Sequence, residues 1–162
     1  MPFCLQNTGK AELRITTQGD YALRCILRIA ADGPGGPVAI SRIVKKEGLP
    51  LDYLEQLLLK LRRCRLIKSV RGAKGGYLLN VPAASISVAR VLEAVEGDVF
   101  EIICDRKRKD GKVCKGSKKC VLRNVWKSLK KRIEAYLGSV GLDELLRKSR
   151  CTEQYEKDRG SR

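Results

Sequence analysis

Three cysteines, Cys104, Cys114 and Cys120, fall within the segment CDRKRKDGKVCKGSKKC, between two stretches patterned as helices. Arg106, Lys107, Arg108, Lys109, Lys112, Lys115, Lys118 and Lys119 surround them. Positive charge at that density favours the thiolate form of a cysteine, the form that binds metals and reacts with oxidants. Soft thiolate ligands select zinc, copper(I) or iron–sulfur clusters. The intervals, nine residues and then five, lack the short knuckle usual in structural zinc sites, and the chain has no histidine to complete a Cys₃His set. A loop with incidental or redox-labile thiols is the other reading open at this point.

The rest of the chain has to hold such a loop. Its 162 residues, 43% hydrophobic and 32% charged, suffice for one small domain, or for one with an appended helical arm. A net charge of +16 asks for an anionic partner, either nucleic acid or an anionic membrane surface. No apolar run reaches the roughly 18 residues of a membrane span, and the N-terminus lacks a charged-then-apolar signal pattern, which places the protein in the cytoplasm. Seven cysteines is an odd number, and Cys25 and Cys64 sit on or near the apolar faces of predicted helices, so a secreted disulfide framework is not expected. One Trp and two Phe are too few for the stacking platforms of single-strand binders.

Residues 1–12 show no periodic pattern and read as a flexible leader. A first helix starts at Thr17, where Thr17 and Asp20 resemble a capping box, and it stops before the loop DGPGGP. Ala39 to Glu47 forms a second helix closed by Gly48, and Pro50 opens a third over Leu51 to Arg63. Leu54, Leu57, Leu58 and Leu61 fall on one face of the third helix and leave Asp52, Glu55, Gln56, Lys60, Arg62 and Arg63 largely opposite. Helix, glycine turn, helix is the helix-turn-helix arrangement, whose second helix enters the major groove. Leu66 to Val70 and Tyr77 to Leu79 flank the turn RGAKGG as two short strands, which makes a winged helix. From Gln56 to Leu92 no residue is acidic, and Lys60, Arg62, Arg63, Arg65, Lys68, Arg71 and Lys74 form a phosphate-facing set. RGAKGG lacks the Gly-Lys-Ser/Thr end of a nucleotide-binding loop and joins strand to strand.

A helix over Ser87 to Glu96 leads into the cysteine loop. The expected fold is mainly α, a winged helix-turn-helix over 13–98, with the cysteine loop at 99–121 and a long C-terminal dimerisation helix plus a short closing helix over 122–148. Residues 149–162 read as a disordered tail. Leu122, Val125, Trp126, Leu129, Ile133 and Tyr136 make an apolar stripe with little chain left to cover it, so a second copy of the protein is its expected partner.

With these elements in place, RITTQGDYAL, DYLEQL, SVRGAKGGYLL, the three cysteines and Trp126 resemble the IscR/NsrR-type family of winged-helix regulators over about residues 13–146. The resemblance implies a homodimeric transcription factor on a palindromic double-stranded DNA operator, controlled by an iron–sulfur cluster, iron, oxygen or nitric oxide. It implies Cys104, Cys114 and Cys120 as cluster ligands, with a two-iron two-sulfur cluster as the expected form. Two features depart from the IscR pattern: the first cysteine interval is four residues longer, and Arg123 stands where a histidine ligand would be. In the nitric-oxide-sensing branch an aspartate early in the first helix reaches the partner subunit's cluster, and Asp20 resembles it; Asp105, Asp110, Cys4 and water are the other candidates. Glu55 and Gln56 become base readers, Arg71 a minor-groove residue, and Tyr53, Lys60, Arg62 and Lys74 phosphate contacts. Asp52 adds a second carboxylate where the IscR type carries a smaller polar residue. Ligation across the dimer would fix the spacing of the two reading heads. An enzyme finds no apparatus in the sequence, which lacks histidine and any Cys-x-x-C pair. The remaining rivals are a cluster-free redox or zinc-dependent repressor of this fold and a basic RNA-binding protein.

Overall fold

Apolar residues at three- and four-residue intervals drive the helices together, and the glycine and proline punctuation separates them. The computed structural model describes residues 16–97 and 120–149. In chain order these form α1 (Thr17–Asp32), α2 (Ile40–Glu47), α3 (Leu51–Arg63), β1 (Ile67–Val70), β2 (Gly76–Leu79), α4 (Val88–Glu96) and α5 (Val121–Ser139). A last helix, α6, covers 142–149, so Ser149 belongs to it and not to the expected tail. The leader and most of the cysteine loop, with Cys104 and Cys114, lie outside the described residues, as does the tail beyond 149.

Among the described residues the core is one apolar cluster. Cys25, Ile26 and Ile29 of α1, Ile43 of α2, Leu54, Leu57, Leu58 and Leu61 of α3, Leu66, Ile67 and Ile86, and Val91 and Val95 of α4 are buried together, and Leu142 of α6 joins them. Shortening one of the α3 leucines to alanine costs about 2–5 kcal/mol at such positions. β1 and β2 pair antiparallel in the register Ile67 with Leu79 and Val70 with Gly76. Val38, just before α2, adds a bridge to Tyr77, with Val38 N–H donating to the Tyr77 carbonyl and Tyr77 N–H to the Val38 carbonyl, both at 2.9 Å. The wing is thereby held at its root. Gly76 permits this approach, because a Cβ there would run into the Val38 carbonyl.

Three local expectations change. The N-cap of α1 is Thr16, with extended backbone (φ −68°, ψ 154°) and a hydroxyl accepting from Gly19 N–H at 3.2 Å, whereas Thr17 is already helical. Asp20 therefore takes no part in the cap; its carboxylate accepts from Arg24 Nε one turn on, at 2.8 Å. Cys64 is not on an apolar helix face but is exposed at the C-cap of α3. The chain leaves α3 through Arg65 at φ 57°, the left-handed position usually filled by glycine.

Candidate nucleic-acid interface and loop attachment

The leucine face of α3 is buried, so its opposite face is presented outward. Asp52, Glu55, Gln56, Arg62 and Arg63 are exposed on it, and Lys68, Arg71 and Lys74 are exposed on the wing. Arg62 reaches back toward Ser69 of β1 at 3.5 Å, which links the end of α3 to the wing. Gly48 turns left-handed at φ 66° between α2 and α3 and sets the angle of the pair. Arg28 of α1 and Glu47 at the end of α2 are joined by an ion pair of 3.1 Å that steadies the turn from behind. The resulting surface carries positive charge at the helix end and wing, with the two carboxylates Asp52 and Glu55 near the helix start. That arrangement can hold phosphates at the periphery and accept hydrogen bonds from base amino groups near the centre.

Two residues grouped with this surface from sequence make contacts within the domain. Tyr53 is half-buried, its ring edge-on to Tyr21 of α1 with centroids 5.9 Å apart, and burial pushes its phenol pKa up. Lys60 turns away from the exposed face, and its ammonium donates to the Val95 carbonyl at the end of α4 at 2.8 Å. Lys60 lies only three residues beyond Leu57, on the edge of the buried stripe, so its stem follows the core and its head reaches α4.

The loop is attached at both ends by described residues. Its first end leaves α4 through Gly97, at φ 81°. Its second end is Cys120, the half-buried N-cap of α5 with a free thiol. Asp20 stands on the outer surface of α1 with its side chain 49% exposed and its carboxylate oriented by Arg24. That hydrogen bond raises the Arg24 pKa above its ordinary value. Among the described residues these are the thiol and carboxylate of the expected ligand set.

Beyond Cys120, α5 runs for 19 residues with none of them buried. Its C-terminal end is tied down: Val88 N–H donates to the Val140 carbonyl at 3.0 Å and Leu142 N–H to the Ile86 carbonyl at 2.8 Å. Leu122, Val125, Trp126, Leu129 and Tyr136 are exposed, Leu122 by 60% and Tyr136 by 69%, and Ile133 is half-buried. Exposed apolar patches of this kind are typical of association surfaces.

Fold, reading surface and attached loop together point to one group of regulators, and comparison with known proteins decides it. Residues 15–148 match the Rrf2 family of iron-dependent transcriptional regulators. The chain belongs to the Rrf2 family. Among its relatives, the HTH-type transcriptional regulator IscR of Xenorhabdus nematophila is 40% identical over 135 residues, which are 83% of this chain and 80% of that protein. Among solved structures, T. potens IscR matches with a TM-score of 0.68 and 32% identity, over 84% of this chain and 88% of that one. CymR, the global cysteine regulator of B. subtilis, matches with a TM-score of 0.69 and 29% identity, over 83% and 97%. As an Rrf2 protein the chain is a winged-helix, DNA-binding transcriptional regulator.

The sequence reading missed the bonds of Lys60 and Gln18 to Val95, because they join residues 35 and 77 positions apart. The Asp20–Arg24 pair did carry a signal, an acid four residues ahead of a base on one helix.

Proposed function

We propose that this Rrf2 protein is a homodimeric, sequence-specific regulator whose hold on a palindromic operator is set by an iron–sulfur cluster carried on Cys104, Cys114 and Cys120. The observation that carries the reading is the attachment of the cysteine loop: it leaves the last turn of a core helix at Gly97 and returns at Cys120, the N-cap of the α5 arm. A change in the loop therefore acts on the DNA-binding core and on the dimer arm together. The donor set fits the group. Three thiols are available in a basic segment, and soft sulfur ligands suit iron–sulfur centres. The family's histidine position is Arg123, which cannot ligate, and Asp20 supplies an accessible oxygen in its place. A two-iron two-sulfur form suits three thiolates and one oxygen ligand.

When bound, such a cluster supplies iron–thiolate bonds sensitive to oxygen and nitric oxide. The chain's own residues do the rest. Arg24 orients the Asp20 carboxylate and would have to share it with iron. The stripe of Leu122, Val125, Trp126, Leu129, Ile133 and Tyr136 holds two copies together, bringing two reading heads to one symmetric site. Glu55 and Gln56 read bases, Asp52 adjusts which bases are accepted, Arg71 enters the minor groove, and Arg62 and Lys74 neutralise phosphates.

The test is affinity for a palindromic duplex obtained by selection from a random library, measured without oxygen for cluster-loaded and cluster-free protein. The expected result is protection of one symmetric site and a 5- to 150-fold difference between forms, the ordinary size of an allosteric coupling, about 1–3 kcal/mol. Equal binding by the two forms would refute cluster control. Equally tight binding to any RNA with no selected palindrome would refute sequence-specific regulation.

A further inference from the structure

We propose that Lys60 is a positioning residue that ties the DNA-reading helix to the start of the cysteine loop, through the carbonyl of Val95. The inference rests on the cluster reading above and deepens it.

Val95 and Glu96 form the last turn of α4, directly before Gly97 and the loop. Three partners converge there. Lys60 Nζ, from α3, donates to the Val95 carbonyl at 2.8 Å. Gln18 Nε2, from the first turn of α1, donates to the same carbonyl at 2.5 Å. Thr16, the cap of α1, donates its hydroxyl to the Glu96 carboxylate. Gly19 lets α1 come this close, because a Cβ there would collide with the Glu96 carboxylate and lie 2.7 Å from the Leu92 side chain. The turn of α1 that makes these contacts also carries Asp20. Both routes by which a cluster ligand bears on this domain, through the loop beyond Gly97 and through Asp20, therefore pass within a few residues of one carbonyl, and that carbonyl is bonded to the reading helix.

The chemistry suits a transmitted displacement. The last carbonyls of a helix have no partner within it, and they carry the negative end of its dipole. An ammonium placed there is a charge-assisted donor, stronger than a neutral one. Lys60 lies on α3 between Gln56, a base-reading candidate, and Arg62, whose guanidinium reaches the wing residue Ser69. A shift in the last turn of α4 thus pulls on the C-terminal half of α3 and, through Arg62, on the wing. Gly97 N–H donates to the Glu93 carbonyl at 3.0 Å and closes the helix.

The experiment uses the full chain carrying Lys60→Met, which keeps the apolar stem and removes the donor, with Lys60→Arg as rescue and Gln18→Ala as a second variant that leaves α3 untouched. Affinity for the selected palindromic duplex is measured for cluster-loaded and cluster-free protein over a range of salt concentrations. The expected result for Lys60→Met is that the affinity ratio between the two forms falls toward unity while the slope of log affinity against log salt is unchanged. Lys60→Arg restores the ratio, and Gln18→Ala lowers it. A phosphate-contacting lysine would behave differently, weakening both forms alike and reducing the slope by about 0.9 per contact; that pattern would overturn the proposal. A wild-type ratio retained in Lys60→Met would overturn the proposal alone, whatever Gln18→Ala shows. Equal binding of both forms by the wild-type protein would overturn the cluster reading, and the proposal with it.

Discussion

At the level of single residues, two cysteines outside the loop have opposite environments. Cys25 is fully buried in the core, and burial pushes its thiol pKa up to about 12 from an ordinary 9. Folding keeps this thiol protonated where the unfolded chain would ionise it. Its contribution to stability is complete below pH 9 and is lost as the pH rises from 9 toward 12, at about 1.4 kcal/mol per unit. Replacing Cys25 by Ala should flatten the fall of urea-unfolding free energy over that range. An identical pH slope in the variant would show that Cys25 does not cause it. Cys64, exposed among Arg62, Arg63 and Arg65, should be alkylated in the native protein under conditions that leave Cys25 untouched, as peptide mass mapping would show. Glu55 is the other residue with a distinct expectation. A carboxylate facing DNA repels phosphate unless it finds a cytosine amino group, so Glu55→Ala should broaden the selected sites at one position by a discrimination of about 1–3 kcal/mol. A uniform loss of affinity across all sequences would contradict base reading. Asp20→Ala should shorten the lifetime of the cluster and alter its visible spectrum, and a variant with both unchanged would remove Asp20 from the ligand set.

At the level of elements, the helices and wing were legible in the sequence because each carries a local signal. Leu54, Leu57, Leu58 and Leu61 mark the buried face of α3 at helical spacing, Gly48 closes α2, and RGAKGG separates two short apolar runs. The cap of α1 was misplaced by one residue because Thr16 and Thr17 are both competent caps and only backbone geometry separates them. Long-range partners were not legible. Lys60 looks like any exposed lysine on a basic face until α4 is folded against α3. The turn after α3 also hid itself, since Arg65 occupies a left-handed position where glycine is the usual signal. Its backbone is held there by Asn80, whose side-chain amide donates to the Arg65 carbonyl at 3.1 Å. Arg65→Gly should therefore raise stability by about 1 kcal/mol, through relief of the left-handed conformation, while removing one positive charge beside the reading helix. Denaturant titration checks the first effect, and a destabilised Arg65→Gly would show that the turn is not strained.

At the level of the whole molecule, a core built on the α3 leucines and the isoleucines of α1 and α2 leaves two surfaces to act outward. One is basic, on α3 and the wing, and the other is apolar, along α5. The net charge of +16 makes encounter with DNA strongly dependent on salt, and in the proposed reading the stripe through Trp126 pairs two reading heads. Trp126→Asp should raise the dimer dissociation constant by at least about 30-fold, roughly 2 kcal/mol, as sedimentation equilibrium would register. An unchanged dimer would move the interface off α5. The loop from Gly97 to Cys120 joins the two surfaces, and the central claim is that it carries an iron–sulfur cluster. The most direct measurement is a visible absorption spectrum, with iron and acid-labile sulfide determined together, on protein purified without oxygen, for the wild type and for Cys104→Ala, Cys114→Ala and Cys120→Ala. Expected is a brown wild-type protein holding iron and sulfide in equal amounts, with both lost in each cysteine variant. A wild-type protein that stays colourless after anaerobic reconstitution, or cysteine variants that keep iron and sulfide, would contradict it.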